Sequence, residues 1–176
     1  MKICILGLWH LGSVTAACLA KLKHEVVGLD FNKKVIYNLQ NNIPPISEPN
    51  ISELIQHGQR KGNLNFIDNV KDLPKQLDFL WVTYDTPVNY NDRSNVNYVL
   101  KNIKKVIPKI NKRTKIIISS QLPAGATNEF KKKNKLDFDF IVIPENLRLG
   151  NSIYSFFNQD RIVIGLENKK LKTKLK

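Results

Sequence analysis

The clearest chemical signal in the sequence is a six-residue turn near its start. Gly7-Leu-Trp-His-Leu-Gly12 follows the apolar run Lys2-Ile-Cys-Ile-Leu6. A stretch with helical spacing comes next, over 11–22, and a second apolar run, 25–30, ends in Asp30. Glycines so placed have a mechanism in turns that hold a dinucleotide. The first makes the tight turn, the middle one admits the pyrophosphate, and the last lets helix and strand pack closely. Gly7 and Gly12 fill the outer places, and Trp9 occupies the middle one. Its ring must point away from the pyrophosphate path for the turn to work. Leu8, Trp9, His10 and Leu11 complete the candidate cofactor turn. Asp30 lies 18 residues after Gly12, where a carboxylate accepts from ribose hydroxyls. It repels a 2′-phosphate, which favours NAD over NADP. Lys33 and Lys34 follow, and Lys34 is counted with the cofactor residues because its charge can meet a phosphate.

Three later stretches fall at the C-terminal ends of predicted strands, where ligands bind in open α/β sheets. They are Val82-Thr-Tyr-Asp-Thr-Pro87, Ser119-Ser-Gln-Leu-Pro-Ala-Gly125 and Pro144-Glu-Asn-Leu-Arg-Leu-Gly150. Together they form one rim of hydroxyl, amide and charged groups over a common crevice.

Elements must hold these groups in place. Apolar runs at 2–7, 25–30, 64–67, 78–83, 115–119, 139–143 and 161–165 read as strands. Stretches 11–22, 33–41, 51–59, 95–105 and 127–133 read as helices. Continuous Val/Ile/Leu-rich strands alternating with helices predict an α/β fold: a doubly wound, Rossmann-type, mostly parallel sheet with helices on both faces. Gly12, Ala16 and Ala20 put small residues on one face of the first helix, suited to tight packing. Asn50 and Ser52 are candidate caps for the helix after the proline-stiffened loop 43–50. The 176 residues fit one domain, 1–166, followed by a Lys-rich tail, 167–176.

The net charge of +13 raises the question of a polyanionic partner. Lys outnumbers Arg 23 to 5, with 20 Asn and 19 Ile. Specific phosphate or base recognition draws on Arg forks, so this excess argues against a specific nucleic-acid partner. No apolar run reaches a membrane span, and the N-terminus lacks a signal peptide's layout, so the expected setting is cytoplasmic. Cys4 and Cys18 read as small buried apolar residues, not as a disulfide or metal pair, and no metal site is expected.

The order of motifs resembles the N-terminal domain of the nucleotide-sugar 6-dehydrogenases, the UDP-glucose and UDP-N-acetylmannosamine dehydrogenases. The matching residues are 2–7 with the glycine turn, Val26-Val-Gly-Leu-Asp30, Pro45-Ile-Ser-Glu-Pro49 and Thr86-Pro87. Ser120-Gln-Leu-Pro-Ala-Gly125, Pro144 to Gly150 and Asp160-Arg-Ile-Val-Ile-Gly165 complete the set. The resemblance implies oxidation of a UDP-sugar C6 alcohol to a carboxylate with two NAD per turnover. It implies that Glu145 acts on water as general base or orients it, that Glu145 and Leu147 help hold the substrate, and that Arg148 holds the substrate or the local loop. Thr86 and Glu48 would line the crevice, and Gln121 stands where the family commonly has Thr. The family's nucleophilic cysteine and its partner residues lie beyond position 176, on a central helical region and a UDP-binding domain. Cys4 and Cys18 match neither the position nor the setting of that nucleophile. The resemblance therefore implies a fragment, or a subunit completed by a separate chain carrying that half. The alternatives are a standalone nucleotide-binding module without catalysis and a fragment of a 6-phosphogluconate-type dehydrogenase.

Overall fold

In the computed structural model, which describes residues 1–86 and 95–168, one seven-stranded sheet runs through the molecule. Its strands are β1 (Lys2–Leu6), β2 (Glu25–Leu29), β3 (Leu64–Ile67), β4 (Phe79–Val82), β5 (Lys115–Ile118), β6 (Phe140–Val142) and β7 (Gly165–Leu166). Their order is β3-β2-β1-β4-β5-β6-β7. The first six pair in parallel, and β7 pairs antiparallel to β6. The helices are α1 (His10–Lys21), α2 (Lys33–Gln40), α3 (Ile51–Arg60), α4 (Val96–Val106), α5 (Ala126–Lys133) and α6 (Ser152–Phe157). The doubly wound reading is correct.

Alternation along β1 shows how the two layers form. Ile3 and Ile5 point into one core with Val14, Ala17 and Cys18 of α1, Leu39 of α2 and Ile55 of α3. Cys4 and Leu6 point into the other, with Val99 and Ile103 of α4 and Phe130 of α5. A strand buried on both faces has no polar side to show, hence its unbroken apolar run. The chain leaves β1 for β2 and β3 on one side, then returns to β4 on the other. That reversal opens a crevice beyond the carboxyl ends of β1 and β4, where such sheets bind ligands.

Residues 11 to 20 of α1 are all buried. The face of Gly12, Ala16 and Ala20 meets more than the sheet. A Cβ on Gly58 of α3 would lie 3.3 Å from the Ala20 Cβ, so the second helix also relies on that small face.

Several expectations need correction. Residues 161–164 form no strand, and only Gly165–Leu166 pair with β6. A parallel strand there needs a crossover helix over β6, but the intervening α6 has six residues and packs against α1. Ile162 and Val163 consequently stand exposed. The helix α6 itself was not expected, because 152–157 is too short to show a period. Neither Asn50 nor Ser52 caps α3. Asn50 takes a left-handed conformation, with φ of 66°, without a side-chain cap, and Ser52 lies inside the helix. Pro87 and the tail from 169 onward lie outside the described residues.

Candidate functional site

The glycine turn is fixed by sterics. Gly7 has φ of +96°, and a Cβ there would press within 2.7 Å of the Tyr84 ring. A Cβ on Gly12 would sit 1.8 Å from the Gly7 carbonyl oxygen. No side chain fits there, which is the close helix–strand approach the spacing implied. Thr83, just past β4, donates its hydroxyl to the Gly7 carbonyl at 2.7 Å and so ties the turn to the neighbouring strand.

Asp30 closes over this turn. Its Oδ2 accepts the Leu8 N–H at 2.8 Å, and its Oδ1 accepts the Asn32 N–H at 2.9 Å. The carboxylate is nearly buried yet retains lone pairs for further donors. Burial and the Asp30 charge push the phenol of Tyr84 up from its ordinary value. Above the turn, α1 starts at His10 after Trp9, without a side-chain cap and without an acid in its first turn. By contrast, Asn32 caps α2 and Asn95 caps α4. The start of α1 thus offers backbone N–H groups and the positive end of the helix dipole. Together with Asp30 and the side-chain-free Gly7–Gly12 contact, these groups suit the pyrophosphate and ribose of a dinucleotide. Trp9 is 47% exposed, so it is not packed into the core beneath the turn.

The remaining expected residues fall in distinct places. Thr86 donates its hydroxyl to the Gln121 carbonyl at 2.7 Å, joining the loops after β4 and β5. Lys34 stands exposed at the start of α2. The Leu8 side chain is buried, and Leu11 is nearly so. Glu145 lies past β6, and its Oε1 accepts the Leu147 N–H at 2.9 Å. Leu147 packs partly into the core beside α6, while Arg148 is exposed. Glu145 and Leu147 line a largely apolar cavity of about 380 Å³, together with Leu11, Trp81 and Phe156. Neither Gly7 nor Asp30 lines that cavity, which runs along α1 from Leu11 to Leu22.

His10 does not stand free. Its Nε2 lies 2.7 Å from Glu48 Oε1 and 2.9 Å from Ser152 Oγ. Glu48 is buried instead of lining the crevice openly. Burial opposes its ionisation, but the Gly150 N–H, His10 and Ser152 outweigh burial and hold the carboxyl below its ordinary value. Thr83 stood in the stretch 82–87 read as part of the polar rim, and Ser152 went unnoticed in the sequence. Thr83 was legible as a hydroxyl residue directly after a strand, whereas nothing local marks Ser152. Both cysteines are buried free thiols. Burial pushes Cys4 up, and it pushes Cys18 up to about 12 against the opposing charge of Lys21. Neither has the electropositive, accessible setting of a nucleophile. No described helix is long and apolar enough to cross a membrane.

Comparison with known proteins agrees with this geometry. Residues 1–176 match the NAD binding domain of the UDP-glucose/GDP-mannose dehydrogenase family. A UDP-glucose 6-dehydrogenase of Rickettsia prowazekii is 30% identical over 172 residues, which are 96% of this chain and 40% of that protein. Among solved structures, a UDP-D-ManNAc dehydrogenase from Pyrococcus horikoshii superposes with a TM-score of 0.90 at 26% identity. It covers 99% of this chain, which spans 44% of it. A GDP-mannose dehydrogenase from Pseudomonas aeruginosa gives 0.88 at 27% identity, over 99% of this chain and 43% of its own. The chain spans about 40% of the length of the curated relatives it matches. Fold, cofactor turn and matched span agree, and the chain belongs to the UDP-glucose/GDP-mannose dehydrogenase family as its NAD binding domain.

Proposed function

We propose that this chain supplies the cofactor-binding half of a dehydrogenase that oxidises the C6 alcohol of a UDP-sugar to a carboxylate. The observation that carries the reading is the Asp30 carboxylate holding the Leu8 N–H beneath the uncapped start of α1. NAD, when bound, supplies the hydride acceptor. Gly7, Gly12 and the first N–H groups of α1 receive the pyrophosphate, and Asp30 accepts the adenosine ribose hydroxyls. Thr86 and Gln121 frame the side of the crevice over β4 and β5. Lys34 adds charge near the ribose. Glu145, Leu147 and Arg148 face the sugar nucleotide, with Glu145 orienting or deprotonating water during hydrolysis. No described cysteine can hold an aldehyde between two oxidations. The nucleophile and the UDP-binding part therefore belong to the remainder of a longer protein or to a separate chain. Residues 1–166 form the binding domain and 167–176 a basic tail. Buried free thiols fit a cytoplasmic setting.

Calorimetric titration with NAD, with and without Asp30→Ala, tests the reading. Saturable binding that weakens at least tenfold in the variant is expected. Absence of binding by the intact chain overturns it, and undiminished binding by the variant removes the role given to Asp30.

A further inference from the structure

Glu48 sits in the loop between α2 and α3, yet the hydrogen bonds of its side chain all reach other parts of the chain. Its Oε1 lies 2.7 Å from His10 Nε2, accepts the Gly150 N–H at 2.7 Å and accepts the Ser152 hydroxyl at 3.0 Å. Its Oε2 accepts the Ser152 N–H at 3.3 Å. Ser152 Oγ also lies 2.9 Å from His10 Nε2 and 2.7 Å from the Arg148 carbonyl, so its one proton is shared between that carbonyl and Glu48. An ionised carboxylate can only accept, so the His10 nitrogen facing it must carry a proton. In the cluster, Nε2–H of His10 donates into an acceptor that also collects the loop amides.

Three distant parts of the chain meet at this one side chain. His10 opens α1 directly after the glycine turn. Gly150 and Ser152 close the loop that begins at Pro144 and carries Glu145 and Arg148. Among the described residues, every hydrogen bond from 144–152 back to an earlier part of the chain ends on Glu48 or His10. His10 Nε2–H, the Gly150 N–H and the Ser152 hydroxyl gather at one oxygen and the Ser152 N–H at the other, so an amide would turn its own donor toward one of these groups.

We propose that Glu48, through His10 and Ser152, is a positioning residue that latches the Glu145–Arg148 loop to the glycine turn, so that the cofactor wall and the substrate wall of the crevice move as one unit. What those walls bind rests on the function proposed above, but the latch itself does not. Its consequence is transfer of order: filling the turn steadies a loop on the other side of the crevice.

Amide hydrogen exchange measured by NMR on the full chain tests this with the wild type, Glu48→Gln and Ser152→Ala, each with and without saturating NAD. In the wild type, NAD slows exchange at Gly150 and Ser152 by threefold or more. Without ligand, Glu48→Gln speeds exchange at Ser13, Gly150 and Ser152 together, by roughly tenfold for loss of a charged acceptor. It also abolishes the slowing by NAD at the two loop amides. Ser152→Ala, a smaller change that tests the latch if Glu48→Gln does not fold, loosens the same amides to a lesser degree. Slowing by NAD that persists in Glu48→Gln overturns the proposal, as does bound NAD that leaves wild-type Gly150 and Ser152 unaffected. If no NAD binds, the cofactor reading fails while the latch stays testable. A Glu48→Gln protein whose Gly150 loosens while Ser13 does not then refutes the latch.

Discussion

The two walls of the crevice are built by different means. The cofactor wall, Gly7 to Gly12 with Asp30, is held by backbone sterics and by bonds between strands adjacent in the sheet. The wall proposed to face the substrate, 144–152, lacks that frame. It follows a three-residue strand, packs Leu147 partly into the core, and sends its hydrogen bonds to earlier parts of the chain to Glu48 and His10. Gly7 and Gly12, set by sterics, tolerate almost no substitution, and Asp30 adds an ionisable acceptor to the same wall. A wall set by one ionised side chain responds to charge and pH and loosens without the fold collapsing.

That contrast is broken most sharply at Gly12. Gly12→Ala places a Cβ on the Gly7 carbonyl, and the turn must open or the helix must shift. Overpacking of this kind costs about 1–3 kcal/mol, with more for a backbone clash. Thermal melts should show that loss, and titration should show NAD binding weakened by roughly 100-fold or more. Preserved affinity would mean that the turn does not receive the cofactor.

Asp30→Ala comes next. It removes an anionic acceptor from two backbone N–H groups, a loss of about 1.5–3 kcal/mol per bond before ribose contacts are counted. Both a lower melting temperature and the weakened NAD binding should appear, whereas Asp30→Asn should keep part of the stability.

Glu48 supplies the pH arm of the comparison. Its folded value lies below its ordinary 4.5, so its contribution is fully present above that value. The contribution is lost as pH falls through the lower folded value. Unfolding free energies from urea titrations of the wild type and Glu48→Gln should therefore differ by about 1–3 kcal/mol near pH 7. The two should converge as the pH drops below 4.5 toward the folded value. A constant difference down to pH 3 would remove the charge from the explanation. His10 is the titratable group facing this carboxylate, and His10→Gln should reduce the wild-type excess without abolishing it.

Smallest is the effect of Arg148→Ala. The side chain is exposed and only its carbonyl is used in the fold, so stability should change by no more than about 0.5 kcal/mol. NAD affinity should hold, and only sugar-nucleotide binding in the completed enzyme should fall. Weakened NAD binding would move this residue to the other wall.

The same contrast explains what could be read without coordinates. Strand periodicity, the helix after the turn and the glycine positions are local properties, and each was legible in the sequence. The strand boundary at 161 was not, because apolar alternation there lacked the covering helix that a parallel strand needs. The cap expected from Asn50 and Ser52 failed because Asn50 enters α3 in a left-handed conformation and Ser52 lies inside the helix.

By itself, the sequence determined the parallel sheet, the dinucleotide turn with its acid at Asp30, and two cysteines unfit for nucleophilic work. These follow from side-chain volume, backbone freedom and burial within short windows. Only the tertiary structure decided that His10 turns toward Glu48, that β7 runs backward, and that Ser152 belongs to the site. Partners 102 and 104 residues apart carry no mutual signal along the chain. Their bonds form only after the sheet has brought the proline loop and the end of β6 to the same side of the crevice.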